Sequence, residues 1–389
     1  MKTKAAILRA RNTPWSVEEI ELDPPKAGEV LVKIIASGMC HSDEHLVTGD
    51  LEGATAPLPT IGGHEGAGVV LEVGPGVFSV APGDHVVFGF VPACGRCPSC
   101  ASGHSNLCDL GAITATGMQL SDGTSRHHDK DGNDLTLAIG ALGTFAHHTV
   151  VHEASCIKIE KDLPLDKACL LGCGVVTGWG SAVYAADVQP GDTVAVVGCG
   201  GIGSNAIQGA KMAGASVIAA IDPIEFKREK AMEFGATHTF SSMTEAVQGI
   251  TDLTHGTMAN KVIMTMGVGQ GSVMAEAMAL TAKRGRVVVT NIHPALEMDV
   301  QMNLFDLTLM EKQVVGSLTA LVVAVVVTTI AISIILSRSG SRPVISMSNQ
   351  TRLFWSWAIA YSPAASIDRN CILCHISAGC RLSPLFSSQ

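Results

Sequence analysis

Cys94, Cys97, Cys100 and Cys108 fall within fifteen residues, in the run C-G-R-C-P-S-C-A-S-G-H-S-N-L-C. Four thiolates at this spacing let one short loop surround a single ion tetrahedrally, which is the chemistry of a structural zinc site. Two other readings fit less well. A ferredoxin-type run places its fourth cysteine four positions after the third with proline behind it, whereas here the last gap is longer and Asp109 follows. Disulfides belong to exported chains, and Met1 to Thr13, with Lys2, Lys4, Arg9 and Arg11 around a short apolar stretch, lacks the core of a secretory signal.

A second set is dispersed. Cys40, His64 and Cys173 supply the two sulfurs and one imidazole of a catalytic zinc site, which keeps a fourth position for water or substrate. Their separation means that spacing alone proves nothing, and a lone cysteine is most often a buried apolar residue. The neighbours add weight: Asp43 can orient a ligating imidazole through its second nitrogen, and Glu65 can approach an exchanging metal. Cys156, Cys169 and Cys199 are read as buried thiols. His127, His128, His147 and His148 flank a polar, glycine-rich stretch and are read as solvated loop or strand edge.

The third constellation is Gly198-Cys-Gly200-Gly201-Ile-Gly203, preceded by the apolar run Thr193 to Val197 and followed by a helical pattern from Asn205 to Ala213. Between strand and helix, such glycines let backbone amides approach a pyrophosphate at the helix N-terminus. A further strand, Ser216 to Ile221, ends in Asp222, whose carboxylate can accept from an adenosine ribose and repels a 2′-phosphate, favouring NAD over NADP. The plainer alternative is a strand-end Asp that caps the next helix.

The elements that must position these groups are legible in outline. Glu29 to Ala36 alternates as a half-buried strand leading to Cys40, Val69 to Val73 follows Gly63-His64-Glu65-Gly66-Ala67-Gly68, and Leu171-Gly172-Cys173-Gly174 opens a small-residue segment. Runs at Thr237 to Phe240, Lys261 to Met266, Arg286 to Thr290 and Gln313 to Ser317 bring the second half to six strands of a doubly wound sheet. Gly267-Val268-Gly269 then falls at the carboxyl edge of the fourth, where ligands bind.

The chain has 389 residues, room for two domains each with a core, and its net charge of −9, with no basic stripe to offset it, argues against a nucleic-acid surface. Composition changes at Leu318: from there to Gln389 stand five Arg, one acid (Asp368), and no Lys or Glu. Expected boundaries are a zinc-binding domain at 1–174, a dinucleotide-binding domain at 175–317 and an anomalous tail at 318–389.

With G-x-C-H-S-D at 38–43, G-H-E-G-A-G at 63–68, the cysteine quartet and the glycine motif with Asp222, the chain to about Ser317 resembles the zinc-dependent medium-chain alcohol dehydrogenases. Within them it is most similar to the bacterial branch that keeps its nicotinamide bound and uses a nitroso acceptor. The resemblance implies a GroES-like, mostly β catalytic domain, a Rossmann domain, one catalytic and one structural zinc, and NAD. It implies hydride transfer between a primary alcohol or aldehyde and NAD(H) through a zinc-bound alkoxide. It assigns Cys40, His64 and Cys173 to the catalytic ion with Glu65 beside it, Ser42 to the substrate oxygen, and His45 to the outer end of a proton relay. Lys227 matches the lysine near the adenosine ribose, Thr177 the residue behind the nicotinamide, His41 the place of an arginine against the pyrophosphate, and Phe90 an aromatic wall of the pocket. Val268 joins the cofactor residues. A cytoplasmic homo-oligomer acting on a small-molecule alcohol is implied, with Val300–Asn303 and Lys312–Ser317 as joining edges.

Other readings stay open: a formaldehyde or thiol-adduct dehydrogenase of the same fold, and a non-catalytic, zinc- and nucleotide-binding remnant. The apolar run Val314 to Leu336 is long enough to span a bilayer, yet Arg338, Arg342 and Arg352 beyond it would place the folded domains outside. Cys371-Ile-Leu-Cys374-His375 matches a haem-attachment pattern, and Cys374, His375 and Cys380 another metal set, both expected to be chance. A shifted reading frame or chimeric gene is the favoured account of the tail.

Overall fold

The computed structural model describes residues 1–319. The expectations for Arg338, Arg342, Arg352, the Cys371–His375 motif, Cys380 and nearly all of the apolar run fall outside the described residues. Within them lie two compact units, Met1–Cys173 and one beginning at Gly174.

The first unit is mostly β. Its strands are β1 (Lys2–Leu8), β2 (Ser16–Leu22), β3 (Glu29–Gly38), β4 (Thr60–Ile61), β5 (Glu65–Val73), β6 (His85–Phe88), β7 (His127–His128), β8 (Thr136–Leu137), β9 (His148–His152) and β10 (Cys156–Ile159). They form two five-stranded sheets, ordered β7-β2-β1-β4-β8 and β10-β6-β5-β3-β9. Short helices α1 (His41–Thr48) and α2 (Pro98–Ala101) lie between them in sequence, and α3 (Leu165–Ala168) follows β10. β3 differs from the expected half-buried strand: apart from Lys33 and two partly covered residues it is buried along its length. The reason is its central place between β5 and β9, with Val30, Val32 and Ile34 packed on Val70, Val86, Phe88 and Val151.

A buried ion pair fixes the start of that strand. Arg126 donates from Nε and Nη2 to the Glu29 carboxylate at 2.9 and 2.6 Å, and both side chains are inaccessible to water. Bidentate geometry offsets the desolvation that would otherwise make such a pair costly. Of the four flanking histidines, His128 and His148 sit on edge strands as expected, but His127 is completely buried rather than solvated. Burial, with the His128 and Arg126 charges, pushes its ring down to about 3.

The second unit runs α4 (Gly174–Gly180), β11 (Thr193–Val197), α5 (Gly201–Met212), β12 (Val217–Ile221), α6 (Glu225–Phe234), β13 (His238–Phe240), α7 (Met243–Leu253), β14 (Ala259–Met264), α8 (Met274–Leu280), β15 (Thr281–Val289), α9 (Leu304–Leu309) and β16 (Gln313–Gly316). Six parallel strands order as β13-β12-β11-β14-β15-β16, so the sheet reverses direction of winding between β11 and β14. That reversal opens the crevice where doubly wound folds bind ligands. β11 is buried at every residue, as a strand covered on both faces must be. The expected joining segment at Val300–Asn303 has no strand, whereas β16 does close the sheet at one edge. No single helix among the described residues is long and apolar enough to cross a membrane.

Candidate metal centres and nucleotide cradle

Cys40 ends the β3 connection and caps α1, placing its thiol at the helix start. His64 and Glu65 arrive on the turn into β5, where Gly63 takes φ +87°. Glu65 pairs in register with Gly38, and its carboxylate packs where any side chain at 38 would stand. Cys173 closes the first unit just before α4. One ligand atom from each of Cys40, His64, Glu65 and Cys173 lies within 4.8 Å of all the others. Two sulfurs, a nitrogen and a carboxylate in that space fit a zinc ion.

Asp43 holds the set together. Its Oδ1 accepts from Gly63 N at 3.0 Å and its Oδ2 from Cys40 N at 3.3 Å, so one carboxylate ties both ligand-bearing segments. Oδ2 also stands 3.5 Å from His64 Nδ1, a buried nitrogen that makes no hydrogen bond of its own. Burial opposes charge on His64, yet Asp43 and the Cys40 thiolate hold its ring well above the ordinary value. The Cys173 thiol and His64 in turn hold Cys40 well below its own.

Phe90 stands edge-on to His64, ring centroids 5.9 Å apart. Ser42 Oγ lies 3.7 Å from Cys40 Sγ. His45, expected at the outer end of a proton relay, is 1 % exposed. Its Nδ1 is 3.0 Å from Asp50 Oδ2, and it is Asp50, with 28 % of its side chain exposed, that meets water. Sequence reasoning missed Asp50. The signal was Gly49, whose φ of +91° ends α1 and turns the next residue back onto the helix. His41 is exposed, its ring edge-on to His45 at 4.9 Å.

The quartet is compact. The four sulfurs of Cys94, Cys97, Cys100 and Cys108 lie within 4.8 Å of one another, and Cys97 and Cys108 are 3.9 Å apart. Edges of a tetrahedral zinc-thiolate site measure about 3.8 Å, whereas a disulfide needs about 2 Å. All four are free thiols. Backbone amides aim at the sulfurs: Cys97 Sγ accepts from Cys100 N and Asp109 N, each at 3.5 Å. Amide donors pull Cys94 down to about 6, while burial pushes Cys100 up to about 12. Only a cation allows all four to ionise together.

In the second unit, Gly198 at φ +92° makes the turn after β11, and Gly203 comes so close to the Gly198 carbonyl that a Cβ would overlap it. Gly200 and Gly201 face open space. This division, one glycine for the turn, one for close packing and two for access, suits a pyrophosphate at the start of α5. The helix begins at Gly201, earlier than its apolar pattern indicated, because the motif itself supplies the first turn. Asp222 accepts from Cys199 N at 2.8 Å and from Ile224 N at 2.9 Å, and Lys227 Nζ lies 3.9 Å away. It does not cap α6, whose N-cap is Ile224. Thr177 is buried, 3.4 Å from the Thr319 hydroxyl, and Val268 bridges to Ile292.

Two family profiles match this chain: the alcohol dehydrogenase GroES-like domain over residues 26–161 and the zinc-binding dehydrogenase over 201–330. Alcohol dehydrogenase B of Mycobacterium tuberculosis is 49 % identical over 318 residues, 82 % of this chain and 84 % of that protein. The chain belongs to the zinc-dependent medium-chain alcohol dehydrogenases. An NDMA-dependent alcohol dehydrogenase of Amycolatopsis methanolica is 48 % identical over the same coverage. A solved alcohol dehydrogenase zinc-binding domain protein from Burkholderia ambifaria superposes with a TM-score of 0.79 at 30 % identity, covering 94 % of this chain and 96 % of its own. This medium-chain dehydrogenase is accordingly a zinc-dependent oxidoreductase, and the expected pairing of a GroES-like domain with a Rossmann domain holds. The second profile continues past Leu318, where the tail was expected to leave the family pattern.

Proposed function

We propose that this chain interconverts a small primary alcohol and its aldehyde with NAD(H), using Cys40, His64 and Cys173 to hold a catalytic zinc and Cys94, Cys97, Cys100 and Cys108 a structural one. The supporting observation is the convergence of Cys40, His64, Glu65 and Cys173 from distant parts of the sequence within 4.8 Å. Bound zinc supplies Lewis acidity toward the substrate oxygen, and the dinucleotide supplies or accepts hydride. Glu65 would stand beside the ion as a further carboxylate donor. Asp43 stands 3.5 Å from Nδ1 of His64, and Phe90 packs edge-on to the same ring.

The proton leaves through side chains. Ser42 and His45, three residues apart on α1, share a helix face. Ser42 takes the proton from the substrate hydroxyl, and His45 passes it to Asp50, the carboxylate that meets solvent. Hydrogen bonds from Thr48 and His45 lower the Asp50 carboxyl, so it stays ionised at working pH. Gly198, Gly200, Gly201 and Gly203 take the pyrophosphate, Asp222 and Lys227 the adenosine ribose, Thr177 and Val268 the nicotinamide side. A cytoplasmic location and pairing of subunits along the exposed edge of β16 complete the reading.

Metal content measured together with alcohol-dependent reduction of bound or added NAD tests it. Two zinc ions per chain with hydride transfer are expected; one ion and no turnover would leave a non-catalytic remnant. Turnover with a nitroso acceptor and no added NAD marks the cofactor-retaining branch.

A further inference from the structure

Beyond the glycine cradle, the second unit carries a polar chain that neither zinc site nor pyrophosphate site uses. Past the end of β15, Glu297 receives the Gly271 amide on Oε1 at 2.9 Å, and its Oε2 lies 3.5 Å from His293 Nδ1. His293 Nε2 is in turn 3.2 Å from Asn291 Nδ2. A carboxylate on one ring nitrogen places the proton there and leaves the other as acceptor. His293 must then accept from the Asn291 amide group. That settles which way the Asn291 amide faces, because its NH₂ is committed and its oxygen must point away.

Asn291 is only 7 % exposed, and that oxygen, Oδ1, is buried with no hydrogen-bond partner. A fixed, unpaired acceptor costs free energy unless something donates to it. Its surroundings are set. Gly269 donates to the Ile292 carbonyl at 2.7 Å, and a Cβ at Gly269 would lie 2.6 Å from the His293 ring and closer still to the Asn291 amide. The chain therefore grips the Gly267–Gly271 loop at the carboxyl ends of β14 and β15, on the far side of β11 from Asp222. A dinucleotide with its adenosine half at the end of β12 extends its other half over those strands.

We propose that Asn291 Oδ1 accepts a hydrogen bond from a hydroxyl or amide donor in the nicotinamide half of the dinucleotide, and that His293 and Glu297 act as positioning residues which hold it in that orientation. This rests on the dinucleotide reading above and deepens it. The consequence is cofactor retention: the donor supplies the one partner the buried oxygen lacks.

The test measures binding to the full-length zinc-loaded protein by titration with NADH and, separately, with AMP, which carries the adenosine half alone. In Asn291→Ala, NADH affinity is expected to fall roughly tenfold while AMP affinity stays unchanged. Glu297→Gln, at a partly exposed position, frees the histidine and is expected to weaken NADH by a smaller factor, again sparing AMP. Unchanged NADH affinity in both variants, or equal losses of NADH and AMP, would overturn the inference. If the unmutated protein binds neither NADH nor AMP, the dinucleotide reading fails first and this one with it.

Discussion

The two metal centres are built on opposite plans. The quartet is one loop: Cys97 caps a four-residue helix, amides of the loop itself point at the sulfurs, and nothing outside residues 94–109 is needed to bring the donors together. The Cys40–His64–Cys173 set is an assembly in which a strand end, a glycine turn and the segment before α4 each contribute one group, and a buried carboxylate, Asp43, ties two of them. On the proposed assignment, the loop would take its shape from its ion, whereas the assembled site takes its shape from the sheets. Stability and catalysis would then be separated within a single unit.

Cys40→Ala gives the sharpest contrast. Turnover should disappear while metal analysis still finds one zinc per chain, because the quartet is independent; residual normal activity would undo the separation. Asp43→Ala should weaken the exchangeable zinc by about 10–100-fold in chelator competition, with the loop ion unaffected. Equal loss of both ions would mean that the carboxylate serves the fold generally. Cys97→Ser should do the reverse, releasing the loop ion and lowering Tm by roughly 2–4 °C for each kcal/mol lost, with kcat falling only through stability. A variant that keeps its Tm but loses kcat would join the two centres again.

The smallest effect concerns neither metal. His127 stays neutral in the folded protein down to about 3, whereas an unfolded histidine takes its proton near 6.5. The unfolded chain therefore binds more protons in between, and stability, complete above 6.5, falls as pH is lowered through that window. Between pH 6.5 and 5 the loss should be roughly 2 kcal/mol. His127→Phe should flatten that part of the curve, since Thr149 keeps its bond to the Leu142 carbonyl. An unaltered acid limb in urea titrations would remove His127 from the account.

The same distinction governs what could be read from the sequence. The quartet was legible because its donors are neighbours. The glycine motif, β11 and Asp222 were legible because one strand, one turn and one helix follow each other in order. Strands of the parallel sheet were located to within a few residues, except that β15 begins at Thr281, five before the apolar run that signalled it. The mostly β unit was harder: only β3 and β5 were foreseen, and the remaining strands, several of them two to five residues long, carry too few residues to show a period. The catalytic set came from family resemblance, not from spacing. Asp50, Asn291 and Glu297 were invisible for a related reason, because each acquires its meaning only from a histidine that the backbone folds against it.

The contact of Gly203 with the Gly198 carbonyl has one more effect. It locks the start of α5 against the end of β11, so the amides at Gly200 and Gly201 are set before any ligand arrives. A receptor whose donors are already aligned loses little conformational freedom on capture, and that saving lengthens the residence of whatever it holds.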